Sequence, residues 1–421
     1  MPSNPINLNL DDLLLDIATA IEPSEADRRI IERRYRALKN HLERPSRPLA
    51  PYMRDDESRI YAQGSVAISA TIVSGDKDDR FDVDAMVEFD VPEDWPDDRA
   101  LDLLYKALQG FPDAKRIERN TRCVTVEFAF MHMDVTPMDP DAEPRTKRVG
   151  EIFHSPDDGA SYRVPANPFG FAQWFRGSVF FQQGVGSFAE QVAARRLLNG
   201  IDRLAAPSPR AVDQDDLPPM IPTRLDAQQV VALKLMKRYL NVAYLRQSVR
   251  RPPSIYFTKI ASDCGYDPNG LTAQLQRLAA YAQNEMDRAL AVASGPDERN
   301  PSYLEDRIND RWPQTQEDRR VLRSAMSDLL IILERAQRAT FADIAQMFGN
   351  AFGEAISSRA VAKHLERREG LAKPSYIKGI GTVVPGALAA SAAVAHETKR
   401  IPDHHFHCEV SSDVARDDEA D

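Results

Sequence analysis

Apolar residues recur along this chain with two different periods, and the switches between them divide it into parts. Over residues 10–21 and again over 24–43 they fall three and four apart, with Ile31, Tyr35, Leu38 and Leu42 on one stripe. That spacing predicts two helices. Ser24, with Asp27 three residues on, predicts a capping-box start for the second. Its opposite face carries Arg28, Arg29, Arg33 and Arg36 and reads as solvated surface. Over 59–136 the period shortens to two, in Phe81-Asp82-Val83-Asp84-Ala85-Met86-Val87, Val124-Thr125-Val126-Glu127-Phe128 and Met133-Asp134-Val135. Alternation of this kind predicts strands with one buried face. Within this stretch Leu101, Leu104, Tyr105 and Leu108 predict a helix over 95–108, and Ser74-Gly75-Asp76 marks 69–80 as a loop. Residues 139–165, rich in Asp, Pro, Glu and Gly, read as a loop with short elements.

Five prolines (207, 209, 218, 219 and 222) make 199–222 a connector. Helical spacing then returns in Val230, Leu233, Met236 and Leu240, in Leu271, Leu275, Leu278 and Ala282, in Val321, Met326, Leu329 and Leu333, and over Phe341–Phe352. After Arg367, glycines and prolines at 370, 374, 379, 381, 385 and 386 interrupt any long element, and the end is acidic. The expected organisation is an α/β (α+β) catalytic core over 1–198, the connector 199–222, a helical lobe over 223–368 and a flexible tail over 369–421. No repeats are found.

A chain of 421 residues suits two domains. Its net charge of −10 argues against life on duplex DNA, where phosphate binding needs an excess of Lys and Arg. Cys123, Cys264 and Cys408 are few, odd in number and far apart, which points to a reducing compartment and no disulfide framework. Met1-Pro2-Ser3-Asn4-Pro5 lacks the features of a signal peptide, and no apolar run is long enough to span a bilayer. A cytoplasmic location is expected.

The chemistry is concentrated in three aspartates. Residues i and i+2 of a strand share a face, so Asp82 and Asp84 point the same way, and Asp134 on a neighbouring strand can meet them. Three gathered carboxylates repel one another and call for a cation; their hard oxygens favour Mg²⁺ or Mn²⁺. Upstream, Gly64 lets the backbone approach a phosphate and Ser65 can donate to it. Together these read as two-metal nucleotidyl transfer.

Tyr61-Ala62-Gln63-Gly64-Ser65, Phe81-Asp82-Val83-Asp84 and Met133-Asp134-Val135-Thr136-Pro137 resemble the motifs of the bacterial cGAS/DncV-like nucleotidyltransferases (CD-NTases), within the DNA polymerase β-like superfamily. The likeness continues in Asn167-Pro168-Phe169-Gly170-Phe171-Ala172-Gln173-Trp174-Phe175, in Leu235-Met236-Lys237-Arg238, in Pro252-Pro253-Ser254-Ile255, and in Asn300-Pro301 followed by Asp310-Arg311-Trp312. It spans roughly residues 20–365.

The resemblance implies a polymerase β-like core with a mixed sheet, a spine helix at 24–43, and a helical lobe related to oligoadenylate synthetase. It implies an enzyme that condenses NTPs, ATP among them, into a cyclic di- or trinucleotide messenger for anti-phage (CBASS-type) defence. Asp82 and Asp84 would hold two metal ions. Asp134 would hold the ion nearest the nucleophile and help lower the pKa of the attacking hydroxyl. Gly64 and Ser65 would cradle the leaving phosphates, with Gln63 buttressing their loop. Lys234, Lys237 and Arg238 share one helix face; the family pattern points to Lys237 and Ser254 as partners of the donor triphosphate.

Other polar features have blander readings. His132 shares the strand face of Asp134 but reads as a satisfied histidine beside the core. Tyr256 and Phe257 read as core rather than as a stacking platform. His404-His405-Phe406-His407-Cys408, with His396, lacks the spaced second pair of a zinc site. It resembles instead the "HTFYG" ending of many family tails, a possible link to accessory defence proteins, although here the chain continues to Asp421. Competing readings are a nucleotidyltransferase acting on an RNA or a protein, and a non-catalytic nucleotide sensor.

Overall fold

The computed structural model describes residues 10–53, 59–73, 80–141, 148–201, 220–370, 375–377, 382–384 and 399–400. Helix α1 (Leu10–Ala20) leads into α2 (Glu25–Leu42). The capping box forms as expected: the Ser24 amide donates to Asp27 Oδ2 at 2.9 Å and the Asp27 amide donates to Ser24 Oγ at 3.2 Å. Ile31, Tyr35, Leu38 and Leu42 are buried. On the charged face Arg36 pairs with Glu32, while Arg28 is partly drawn in and donates to Pro222 O.

A seven-stranded sheet follows, from β1 (Ile60–Gln63), β2 (Phe81–Glu88), β3 (Arg116–Arg119), β4 (Val124–Glu127), β5 (Met131–Pro140), β6 (Gly150–His154) and β7 (Tyr162–Ala166). Its order is β1-β2-β5-β4-β3, with β6 joined to β5 and β7 to β6. The β2–β5 pair is parallel and the others are antiparallel, so the sheet is mixed. One face holds Val83, Ala85, Val87, Val124, Val126, Met133 and Val135 in a core with α2 and α4 (Arg99–Leu108). Helix α4 starts later than its apolar pattern suggests, because Arg99 N closes a turn onto Pro96 O and Trp95 is spent packing on Tyr52. Part of 139–165, expected as a loop with short elements, extends the sheet through the end of β5, β6 and the start of β7. Gly150 permits this, since a Cβ there would lie 2.3 Å from Asp139 O.

A second core is helical. It joins α5 (Pro168–Ser178), α6 (Phe188–Leu198), α7 (Gln228–Tyr244), α8 (Ser254–Asp263), α9 (Leu271–Ala291), α10 (Gln316–Ala336), α11 (Phe341–Phe352) and the first turns of α12 (Glu354–Gly370). Helix α1 belongs to this core, as do α5 and α6, although all three precede the proline-rich connector. Tyr256 and Phe257 are buried in it. The described end of the connector docks on α2, where Met220 N and Ile221 N donate to the Glu32 carboxylate at 2.7 and 3.0 Å.

Chain contacts group residues 1–361 into one compact unit and 362–421 into another. Within the second, β8 (Ser375–Ile377), β9 (Thr382–Val384) and β10 (Lys399–Arg400) pair antiparallel. The His396 and His404–Cys408 region, the acidic end, residues 74–79 of the loop after Ser65, and 202–219 of the connector lie outside the described residues.

Candidate active site

The parallel register of β2 and β5 places Asp84 opposite Asp134 and Asp82 opposite His132. On the flanks, Gln63 pairs with Asp84 and Thr125 with Asp134. Alternation therefore gathers all three aspartates on the face turned away from the α2–α4 core. Thr125 Oγ1 donates to Asp134 Oδ1, which fixes that carboxylate. From behind, Tyr35 OH of α2 donates to Asp84 O at 2.6 Å and ties the long helix to the strand.

Gly64 opens the four-residue helix α3 (Gly64–Ala67) with φ +56°. A Cβ at this position would lie 2.1 Å from Asp84 Oδ2. Only glycine fits both the backbone and the carboxylate. The Ser65 amide donates to Asp84. Ser65 Oγ lies 3.1 Å from Thr71 Oγ1 and can also donate to Asp82 O at 3.4 Å. Gln63 Nε2 donates to Thr136 Oγ1 at 3.2 Å and more weakly to Ala85 O, clamping β1 against β2 and β5.

Burial, then the Asp134 and Asp82 carboxylates, push Asp84 up to about 7 against the opposing pull of Lys237 and the Ser65 amide. Asp82 also rises, first through the protein that walls it and then through Asp134, while His132, Lys237 and Arg251 act in the other direction. Asp82 is nonetheless solvent-exposed, so its carboxylate is open to a ligand. Mutual repulsion among oxygen-only donors is the condition a hard divalent cation relieves. Among the described residues no three His, Cys, Asp or Glu side chains close into a metal-holding group. The aspartates instead line an open face, which suits an ion that takes its remaining oxygens from substrate phosphates.

The expected basic trio divides. Lys237 Nζ donates to Ala70 O at 2.8 Å; burial lowers its pKa to about 8, while Asp84 and Asp82 help to retain the charge. Lys234 is buried and pairs with Glu22 at 2.6 Å. Arg238 Nε donates to Phe352 O at 2.7 Å and its Nη1 to Val73 O at 3.4 Å. Ser254 stands at the first position of α8, where its carbonyl accepts from Thr258 Oγ1; no described contact joins it to the carboxylates. His132 lies half-buried on the carboxylate face, with Nε2 3.1 Å from Arg80 Nη1. It is satisfied, though by an arginine at the site's edge.

Sequence reasoning passed over three contributors. Thr125 is visible only once strand register is known. Arg251, two residues before Pro253, stands in the field of Asp82. Arg176 of α5 reaches the back of the Gly64–Ser65 turn, donating to Ala67 O, to Ser69 Oγ at 3.3 Å and to Thr223 O at 3.1 Å. Its position in an aromatic-rich helix gives no hint of that contact.

Residues 8–177 match the family described as the Second Messenger Oligonucleotide or Dinucleotide Synthetase domain. The chain is 30% identical over 402 residues to the cyclic dinucleotide synthase CdnG of Bradyrhizobium diazoefficiens, covering 92% of each protein. The structure of that organism's CD-NTase CdnG in complex with GTP superposes with a TM-score of 0.71 at 29% identity, covering 85% of this chain and 99% of that one. E. coli MS115-1 CdnC with ATP superposes with a TM-score of 0.52 at 17% identity, covering 82% of this chain and 98% of that one, and so shares the fold.

Proposed function

The chain belongs to the bacterial CD-NTases, nucleotidyltransferases that make cyclic oligonucleotide messengers, and from that premise we propose how its own residues carry out the condensation. One observation supports the assignment above the others. Asp82, Asp84 and Asp134 share one sheet face, hard against a glycine whose missing Cβ leaves room for Asp84.

The Ser65 hydroxyl and the amides of the turn at Gly64 hold the β- and γ-phosphates of the donor NTP, and Lys237 adds its charge from α7. Asp82, Asp84 and Asp134 would hold two divalent cations, Mg²⁺ or Mn²⁺. When bound, these ions neutralise charge on the phosphates and favour the ionised acceptor hydroxyl. Asp134, oriented by Thr125, aligns that hydroxyl and receives its proton at Oδ2. A bond forms from the ribose oxygen to the donor α-phosphorus. The bond from that phosphorus to the bridging oxygen breaks, and pyrophosphate departs with the electron pair. A second round on the linear product closes the ring.

The complex of CdnG, 29% identical, with GTP supports GTP as a substrate; ATP is also expected. Ser254 is assigned to the donor triphosphate on the family pattern alone. A role in anti-phage signalling follows from the family, as does a cytoplasmic setting where NTPs are available. No described helix is long and apolar enough to cross a membrane.

The test is incubation with labelled NTPs and Mg²⁺ or Mn²⁺, then phosphatase treatment and mass spectrometry. A phosphatase-resistant cyclic product is expected. Label transferred only to RNA or protein, or no transfer under either metal, would overturn the reading.

A further inference from the structure

The turn that carries Ser65 ends on a residue ill suited to its conformation. Helix α3 is one turn long, and a single turn does not hold itself. Two backbone bonds close it: Ser69 N donates to Val66 O at 3.2 Å and Ala70 N to Ser65 O at 2.8 Å. A six-residue closure of this kind needs a left-handed residue at its fifth position, where glycine is usual. Here that residue is Ser69, with φ +60°. Left-handed residues other than glycine persist only where their surroundings over-determine them. Beyond Ser69 the chain returns to Ser65 a second time, through the contact of Thr71 Oγ1 with Ser65 Oγ at 3.1 Å. Both the carbonyl and the hydroxyl of Ser65 therefore depend on the backbone at 69.

The side chain that constrains Ser69 comes from the helical core. Ser69 is buried; its Oγ donates to Thr223 O at 3.3 Å and accepts from Arg176 Nη1 at 3.3 Å. Arg176 Nη2 donates to Thr223 O at 3.1 Å, and Nη1 reaches Ala67 O, at the end of α3, at 3.4 Å. One planar fork thus touches the helix end, the left-handed residue and Thr223 together, which the point charge of a lysine does not reproduce. The chain around Thr223 is itself held: Arg28 of α2 donates to Pro222 O at 2.9 Å, and Arg224 to Pro23 O at 3.0 Å. All three described partners of Arg176 are neutral oxygens, so its contribution is positional rather than the neutralisation of a carboxylate.

We propose that Arg176 is a positioning residue for the donor nucleotide: by holding Ser69 left-handed it keeps the Ser65 hydroxyl aimed at the donor phosphates. Without the fork, Ser69 relaxes towards the right-handed region and the bond from Ala70 N to Ser65 O opens. The cradle then loosens, while Asp82, Asp84 and Asp134 stay fixed on their strands. Arg176 reaches the turn from behind and touches no substrate. The proposal rests on the reading of Gly64 and Ser65 as the donor cradle.

The test couples the two residues. Pyrophosphate release is measured at varied NTP with Mg²⁺ for the full chain and for Arg176→Met and Arg176→Lys, each made with Ser69 intact and with Ser69→Gly. Calorimetric Kd values for a non-hydrolysable NTP are taken alongside. With Ser69 intact, Arg176→Met is expected to lower kcat/KM and weaken analogue binding about tenfold or more, as a misplaced binding group does. With Ser69→Gly the same substitution should cost about threefold or less, because glycine adopts a positive φ unaided. Arg176→Lys should fall between Arg176→Met and wild type, and Ser69→Gly should shrink its loss too, which decides the matter should Arg176→Met not fold. Arg176 variants equal to wild type in both readouts, or equal losses in the serine and glycine backgrounds, would overturn the proposal. A wild type that binds the analogue yet releases no pyrophosphate would instead overturn the enzyme reading, with the coupling still read from the Kd values. A wild type that binds no analogue would overturn the donor-cradle reading itself.

Discussion

At the scale of single residues, Gly64 and Asp84 constrain each other. Gly64→Ala places a Cβ within 2.1 Å of Asp84 Oδ2 at a left-handed φ. Displacing a reacting group by about an ångström costs about 10²-fold. Pyrophosphate release by this variant is expected to fall at least that far, with the melting temperature lower by a few degrees. Asp82→Asn with Asp84→Asn is expected to abolish condensation without unfolding the protein. Because burial, and then repulsion from Asp134 and Asp82, hold the Asp84 carboxyl up at about 7, charge at this position works against the metal-free fold near neutral pH. The double variant should therefore melt no lower than wild type in chelator, and should lose the rise in melting temperature that Mg²⁺ or Mn²⁺ produces. A lower melting temperature in chelator would refute the electrostatic account. The aspartates were legible because a period of two fixes which side chains share a face. Thr125, Arg176 and Arg251 were not, because their roles depend on which strand, turn or helix ends up beside them.

At the scale of elements, α7 divides its cations between the proposed donor site and the packing of the fold. Lys237 faces the catalytic turn, and its pKa near 8 means that its charge drains away as pH rises through that value. The NTP KM is expected to climb above pH 8 in wild type and to stay flatter in Lys237→Arg, while Lys237→Ala raises it at every pH and leaves the helix folded. Lys234 instead completes a buried cluster with Glu22, Arg196 and Asp226. Burial alone would raise the Glu22 carboxyl, yet Lys234 and Arg196 hold it at about 2. A depressed carboxylate contributes stability above its unfolded pKa, near 4.5, and that contribution is lost as pH falls towards 2. Denaturant melts of Glu22→Gln should show a shallower loss of stability across that window. Lys234→Met, which leaves Glu22 buried without its lysine, should cost about 3–5 kcal/mol. Helices α1, α2, α7, α9, α10 and α11 were legible from their apolar stripes. Strands β6 and β7 were foreseen only as short elements within a loop, because Asp, Pro and Gly in that stretch mimic loop composition while β5 supplies the pairing edge.

At the scale of the whole molecule, linear order and packing diverge. The proline-rich connector marks a break along the chain, but α1, α5 and α6 lie before it and share the helical core. No local pattern reveals this, since an apolar stripe does not name its partner. The catalytic motifs all lie within residues 1–361, which form one compact unit. Truncation near Gly370 is therefore expected to leave NTP condensation largely intact and to remove a contact with partner proteins. Loss of activity on truncation, or a tail as resistant to protease as the core, would show that it is a structural element.

Parallel pairing of β2 with β5 has a consequence for the life of the chain on the ribosome. Parallel neighbours cannot be joined by a tight turn, so α4, β3 and β4 must all be synthesised between Asp84 and Asp134, and Lys237 follows much later. A polypeptide cut short before α7 carries the aspartates without the lysine proposed to face the donor phosphates, and such a fragment is expected to release no pyrophosphate from NTPs.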